Sequence, residues 1–126
     1  KLYPLLLLIL IFFSCKTQSQ VYSVESKGAI KLYEEGIKLY QINEYEDAEQ
    51  NFLKATQKEA NFIEPYIVLS QLYKDIYQPD KAIKSLEKAI EIDPTFFPNN
   101  WFHLGLLYKE AGKYEKGKEK LSQLTC

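Results

Sequence analysis

From about residue 26 onward the chain matches itself at a fixed spacing of 34 residues. Ala48 lies over Ala82, Phe52 over Leu86, Ala55 over Ala89, Ala60 over Pro94 and Phe62 over Phe96, every pair 34 apart. One further step sets Leu86 over Leu121 and Ala89 over Leu124 at 35, which places one added residue near Phe96-Phe97-Pro98. A unit of this length cannot bury its apolar face alone, so successive copies must stack and share a continuous core. Within the copies small residues alternate with large ones. Gly36, Ser70 and Gly105, with Ala48 and Ala82, are expected to let helices approach closely, while Leu, Phe, Tyr and Trp fill the space between.

Turn chemistry divides the pattern into helices. Asn43-Glu44, Gln78-Pro79-Asp80, Asp93-Pro94-Thr95 and Ala111-Gly112-Lys113 carry the stop and start signals. They leave helices near 26–42, 45–59, 63–76, 80–92, 98–111 and 114–124, an all-α chain. Composition agrees: aromatics make up 14% while Gly and Pro number five each, which favours packed helices over a turn-rich chain. Sixteen basic residues against 17 acidic give a net charge of −1, so no broad positive field exists to hold nucleic acid.

The copies resemble the tetratricopeptide repeat. The third matches best, with Trp101, Leu104-Gly105, Tyr108, Gly112 at the turn, Tyr114, Gly117 where Ala is usual, and Leu121. The second has Tyr66, Leu69-Ser70, Tyr73, Ala82, Leu86, Ala89 and Asp93-Pro94. The first has Leu32, Gly36, Leu39, Tyr45, Ala48, Phe52 and Ala55, but Glu35 replaces a Leu and Ala60 a Pro. The resemblance implies three helical hairpins, about 29–62, 63–97 and 98–126, forming a segment of right-handed superhelix within a domain over 26–126. It also implies a concave groove lined by the first helix of each hairpin. The groove positions are Tyr33, Ile37 and Tyr40, then Ile67, Gln71 and Lys74, then Phe102, His103, Leu106 and Lys109. There a partner protein would lay an extended or helical peptide, its apolar groups buried and Gln71, Lys74 and Lys109 orienting it; the alternative is that several of these residues only pack the array. In one variant of the family, cationic and amide side chains clamp a peptide's terminal carboxylate. The matching positions hold Tyr33, Ile37, Val68, Asn99 and His103, which lack the charges for it.

No constellation for catalysis stands out. His103 is the only histidine, with no Ser, Cys or carboxylate at a telling spacing, and reads as a groove or surface residue. Glu34-Glu35 and Glu44-Tyr45-Glu46-Asp47 read as charge partners on a wet helix face, not as paired catalytic acids. The five glycines form no phosphate-cradling motif, and the lysines from Lys113 to Lys120 alternate with glutamates. Cys15 and Cys126 are too far apart in sequence for a shared metal-ligand motif. The reading is a non-enzymatic chain without metal, cofactor or small-molecule substrate.

The N-terminus adds an address. Lys1 precedes an apolar run from Leu5 to Phe13, nine residues or roughly 14 Å as a helix, against a hydrocarbon core of about 30 Å. It is too short to span and reads as the core of an export signal over 1–14. Phe12-Phe13-Ser14-Cys15 resembles a bacterial lipobox: Ser14 and Cys15 match its small residue and lipidated cysteine, whereas Phe12 and Phe13 depart from the usual Leu and small residue. That implies acylation of Cys15, cleavage before it, and a polar tether over 15–25. Signal, repeats and the stretch Asp93-Pro94-Thr95-Phe96-Phe97-Pro98-Asn99 together resemble the N-terminal part of a Bacteroidetes outer-membrane lipoprotein family. Its fuller members add a propeller and an OmpA-like domain, and some serve a secretion machine. The resemblance implies a lipid anchor in the outer membrane, facing the periplasm, as a scaffold for other proteins. Two alternatives stand beside that scaffold: a structural link to peptidoglycan through further domains, and the non-catalytic part of a larger enzyme.

Overall fold

The computed structural model describes residues 20–124. Among the described residues are six helices and no strand: α1 Lys27–Gln41, α2 Tyr45–Lys58, α3 Ile63–Asp75, α4 Pro79–Ile92, α5 Asn99–Glu110 and α6 Tyr114–Leu124. Each limit lies within one residue of the limit read from the sequence. α1 packs on α2, α3 on α4 and α5 on α6, while α2 meets α3 and α4 meets α5. The result is three stacked hairpins, the all-α tetratricopeptide-type architecture.

The repeat is visible in the core. Ala48 and Ala82 are fully enclosed and Gly117 is buried at the same place in α6. Phe52 and Leu86 fill the next turn, followed by Ala55 and Ala89. On the first helices Leu69, Leu72 and Tyr73 of α3 correspond to Leu104, Leu107 and Tyr108 of α5, all buried. In α1 the positions aligned with Leu69 and Leu72 are Glu35 and Lys38, and both are exposed. The first helix of the first hairpin is therefore polar and exposed at two positions that are core in the second and third hairpins.

Close approach is real at two glycines. A Cβ on Gly36 would sit 2.7 Å from the Phe52 ring, and one on Gly117 would sit 2.9 Å from Tyr108 Cβ. Gly105, expected to serve the same purpose, does not: a Cβ there would make ordinary contact with Leu121 at 3.7 Å. Its neighbour α6 stands farther off than α2 does from Gly36.

Each first helix ends in the same motif. Asn43, Tyr77 and Gly112 all have left-handed backbones, with φ of 63°, 58° and 67°. The N–H donors of Glu44, Gln78 and Lys113 reach back to the carbonyls of Leu39, Tyr73 and Tyr108. This pairing satisfies carbonyls that a helix end leaves without partners, and glycine suits the left-handed position best. Tyr77 is a bulky residue held there against its preference.

The two turns from second helix to first helix differ. Phe62 is wholly buried before α3, whereas Phe96 and Phe97, before α5, are exposed. The 34-residue match between Phe62 and Phe96 therefore joins residues in different environments. Asp93 holds this longer turn by accepting from the N–H and hydroxyl of Thr95, at 2.8 and 2.7 Å. Those bonds keep its carboxyl below the usual carboxylate range.

Candidate functional site

Ile67, Gln71 and Lys74 follow one another at helical spacing on α3, and His103 and Leu106 do so on α5. The stacking sets these two rows face to face across a hollow of about 130 Å³, whose floor is Leu86 of α4. Ligand sites for drug-sized molecules run to about 300–1,000 Å³, so this one suits a single side chain. Ser70, Phe97, Asn100 and Leu107 complete the wall. Of these, Ser70 was legible only as a small residue for helix packing and Phe97 only as part of a turn. Phe97 comes from the turn that carries the extra residue before α5 and is half exposed. Phe102 and Lys109 do not line the hollow. Phe102 is two-thirds exposed with its ring steeply inclined to that of His103, the centroids 6.0 Å apart, and Lys109 is exposed.

The rim is polar and tied together. Gln71 Nε2 donates to Asp75 Oδ1 at 2.8 Å, and the Tyr40 hydroxyl donates to the other Asp75 oxygen, linking α1 to α3. Burial, and then the Asp75 carboxylate, push the Tyr40 hydroxyl well above the ordinary tyrosine value. Lys74 Nζ lies 3.8 Å from Glu110, an exposed pair worth little on its own. On the second-helix side, the hydroxyls of Tyr73 and Tyr108 donate to Glu49 and Glu87, stapling each hairpin to the one before. Each glutamate also has a lysine within reach, Lys81 and Lys120.

At the first repeat the concave face is already covered. Tyr33, expected to line the groove, is buried, because residues 20–25 lie over it as a strap. The Tyr22 ring stands edge-on to Tyr33 at 5.8 Å and to Phe62 at 6.1 Å, and its hydroxyl donates to Glu34 at 2.9 Å. Ser23 donates twice to Glu64, from its N–H at 2.7 Å and from its hydroxyl, and its Oγ accepts from the Ile63 N–H at 3.1 Å. Phe62 cannot cap α3 with its own side chain, so Ser23 satisfies a donor that the helix start leaves open. Burial raises the Tyr33 hydroxyl to about 12, with Glu64 adding to the effect. Beside the strap, Gln20, Tyr22 and Glu34 border a shallow recess with the half-buried Ile37. The part of the expected 15–25 tether that is described is thus docked. Nothing short of the fold would reveal this, since the strap joins partners in α1 to others at the start of α3, some 40 residues away.

Cys15 and Cys126 lie outside the described residues. Among the described residues no group of three His, Cys, Asp or Glu side chains could hold a metal, and no helix is long and apolar enough to cross a membrane.

Two segments match family models described as the tetratricopeptide repeat, residues 63–96 and 85–119. The comparison with curated proteins gives no match. Among solved structures, MamA superposes with a TM-score of 0.68 over 78% of this chain, at 24% identity. This chain covers 57% of that one and so spans little more than half its length. The second tetratricopeptide domain of Spaghetti, bound to an HSP90 peptide, gives 0.67 at 18% identity, over 76% of this chain and 88% of its own. The Yersinia enterocolitica type III secretion chaperone SycD, in complex with a peptide of the translocator YopD, gives 0.65 at 23%, over 81% and 79%. Likeness at these identities is likeness of fold: the chain carries tetratricopeptide repeats stacked as in these structures.

Proposed function

We propose that this chain is a membrane-anchored, non-enzymatic scaffold that holds a partner protein by a peptide segment laid across its second and third repeats. The observation that carries the reading is the hollow between α3 and α5. It has apolar walls from Ile67, Leu86, Phe97, Leu106 and Leu107 and a polar rim from Gln71, Lys74 and His103. One apolar side chain of the partner would fill it, the kind of anchor that dominates peptide recognition. Lys74 and Lys109 would favour acceptor groups on either side. Two of the similar folds hold peptides, which supports the same use here.

A random peptide library selected against the parent chain and against Leu106→Asp tests the groove. Enrichment of peptides with a shared apolar anchor on the parent, and their loss on a variant that keeps its helical circular dichroism, is the expected result. Equal enrichment on both would remove the hollow from consideration.

For the anchor, the support is sequence alone: the apolar run Leu5 to Phe13 followed by Ser14-Cys15. Acyl chains on Cys15 would hold the scaffold in the cell envelope, in the outer membrane and on its periplasmic side, within an assembly such as a secretion machine. Metabolic labelling with a palmitate analogue should mark the parent and not Cys15→Ser. An unlabelled parent would overturn the anchor and leave the groove untouched.

A further inference from the structure

The strap occupies the first-repeat counterpart of the hollow between α3 and α5. Tyr33 and Ile37 on α1 align with Ile67 and Gln71 on α3, yet the first pair lies beneath or beside Tyr22 while the second pair faces open space. Residues 20–25 form no helix or strand. They are held as a bound peptide is held: an aromatic ring set edge-on against two rings of the groove that pack on each other, then a main-chain N–H and a hydroxyl on one carboxylate. The anchors belong to two successive repeats, Tyr33 and Glu34 on the first and Phe62 and Glu64 at the start of the second. We infer that the strap is a ligand of the groove held in cis, and that the first repeat, once freed of it, takes in trans an extended peptide carrying an aromatic residue directly followed by a hydroxyl residue.

The chemistry explains the choice of residues. Glu64 is a double acceptor, so it reads a segment offering two donors side by side, which a serine supplies with its N–H and Oγ. The same Oγ returns a bond to Ile63, a fit that an alanine or valine could not give. Tyr22 adds a hydroxyl that reaches Glu34 on the far side. Joined to α1 within a few residues, the strap competes with any free peptide at an effective concentration on the order of millimolar. A partner therefore gains the first repeat only by displacing the strap, and the footprint of a weaker one stays confined to the second and third repeats. This rests on reading the concave face as a peptide groove.

The test uses the whole chain with Tyr22→Ala and Ser23→Ala together, and a fluorescent peptide with the sequence of residues 20–25. Anisotropy should show the peptide binding the variant at least about 10-fold tighter than the parent, whose site is filled in cis. Adding Glu64→Gln to the variant, or replacing the peptide's tyrosine by alanine, should abolish the gain. Equal affinity for parent and variant, or no binding by a variant that keeps the parent's helical content, overturns the inference. Should the variant lose its first repeat, saturating peptide is added to the parent and hydrogen exchange is followed at the Ser23 amide. Faster exchange upholds displacement, and unchanged exchange overturns it. The two readings fail separately: if library peptides still need Leu106 while the strap peptide binds nowhere, only the cis ligand falls.

Discussion

Tyr33 in the first repeat and Phe102 in the third hold aligned places on their first helices, yet one is 8% exposed and the other 66%. The helical pattern is the same around both. What differs is the company: Tyr33 has Tyr22 and Phe62 packed on its ring, whereas Phe102 meets the single ring of His103 and is otherwise largely open to solvent. The same contrast holds for glycines, with Gly36 pressed on Phe52 and Gly105 in ordinary contact with Leu121. A repeat fixes where a side chain is aimed, but its neighbours decide whether it becomes core or binding surface.

The glycine pair should break the symmetry most. Gly36→Ala forces a buried ring to move and should cost about 1–3 kcal/mol, as overpacked cores do. Gly105→Ala meets no obstacle and should stabilise the chain by up to about 1 kcal/mol through helix propensity. Urea denaturation of both variants checks this, and matching losses would mean that the first and third repeats are packed alike.

Alkaline titration sharpens the contrast at the next level. The Tyr33 hydroxyl is raised to about 12 from an ordinary 10, so the folded state favours its protonated form. That contribution is present in full below pH 10 and is lost as pH rises from 10 through 12. It amounts to something on the order of 2 kcal/mol. The third repeat carries Phe102 at this place and has nothing to titrate there. Tyr33→Phe should flatten the fall in stability between pH 10 and 12, measured against the parent at each pH. A parallel fall would show that Tyr33 ionises as readily in the folded chain as in the unfolded one, and so is not buried under the strap.

Smaller effects belong to the helix ends. Tyr77→Gly should stabilise by roughly 1 kcal/mol by removing a left-handed tyrosine, and Gly112→Ala should cost about as much at the equivalent turn. Opposite shifts in melting temperature are the expected outcome. Smallest of all, Lys74→Ala and Lys109→Ala should leave stability within about 0.5 kcal/mol, since both side chains are exposed. Their effect should be confined to the binding of library peptides. A large change in stability would mark them as structural.

The fold was legible because its signals are local or periodic. Ala48 and Ala82 at a spacing of 34, and breaks at Asn43, Pro79 and Gly112, suffice to lay out the hairpins. The left-handed Tyr77 was not legible by type, because nothing in a tyrosine advertises that backbone. Of the concave positions, Ile67, Gln71, Lys74, His103 and Leu106 come together on one hollow. Tyr33 does not, since its cover comes from Tyr22 and Phe62 through contacts that no periodicity encodes. Phe97 lines the hollow from the turn where the repeat spacing changes from 34 to 35, so no repeat position foretells its facing.

The docking of Tyr22 also shortens a leash. Tyr22 lies seven positions after Cys15, and a chain spans at most about 3.3–3.6 Å per residue. Any attachment at Cys15 therefore keeps the first repeat within about 25 Å of the surface that holds it. Release of the strap would move the point of attachment down to Lys27, where α1 begins, and lengthen that reach to roughly 40 Å. Occupying the first repeat in trans would thus do more than add contacts: it would let the whole array swing farther out and sweep a larger volume for its next encounter.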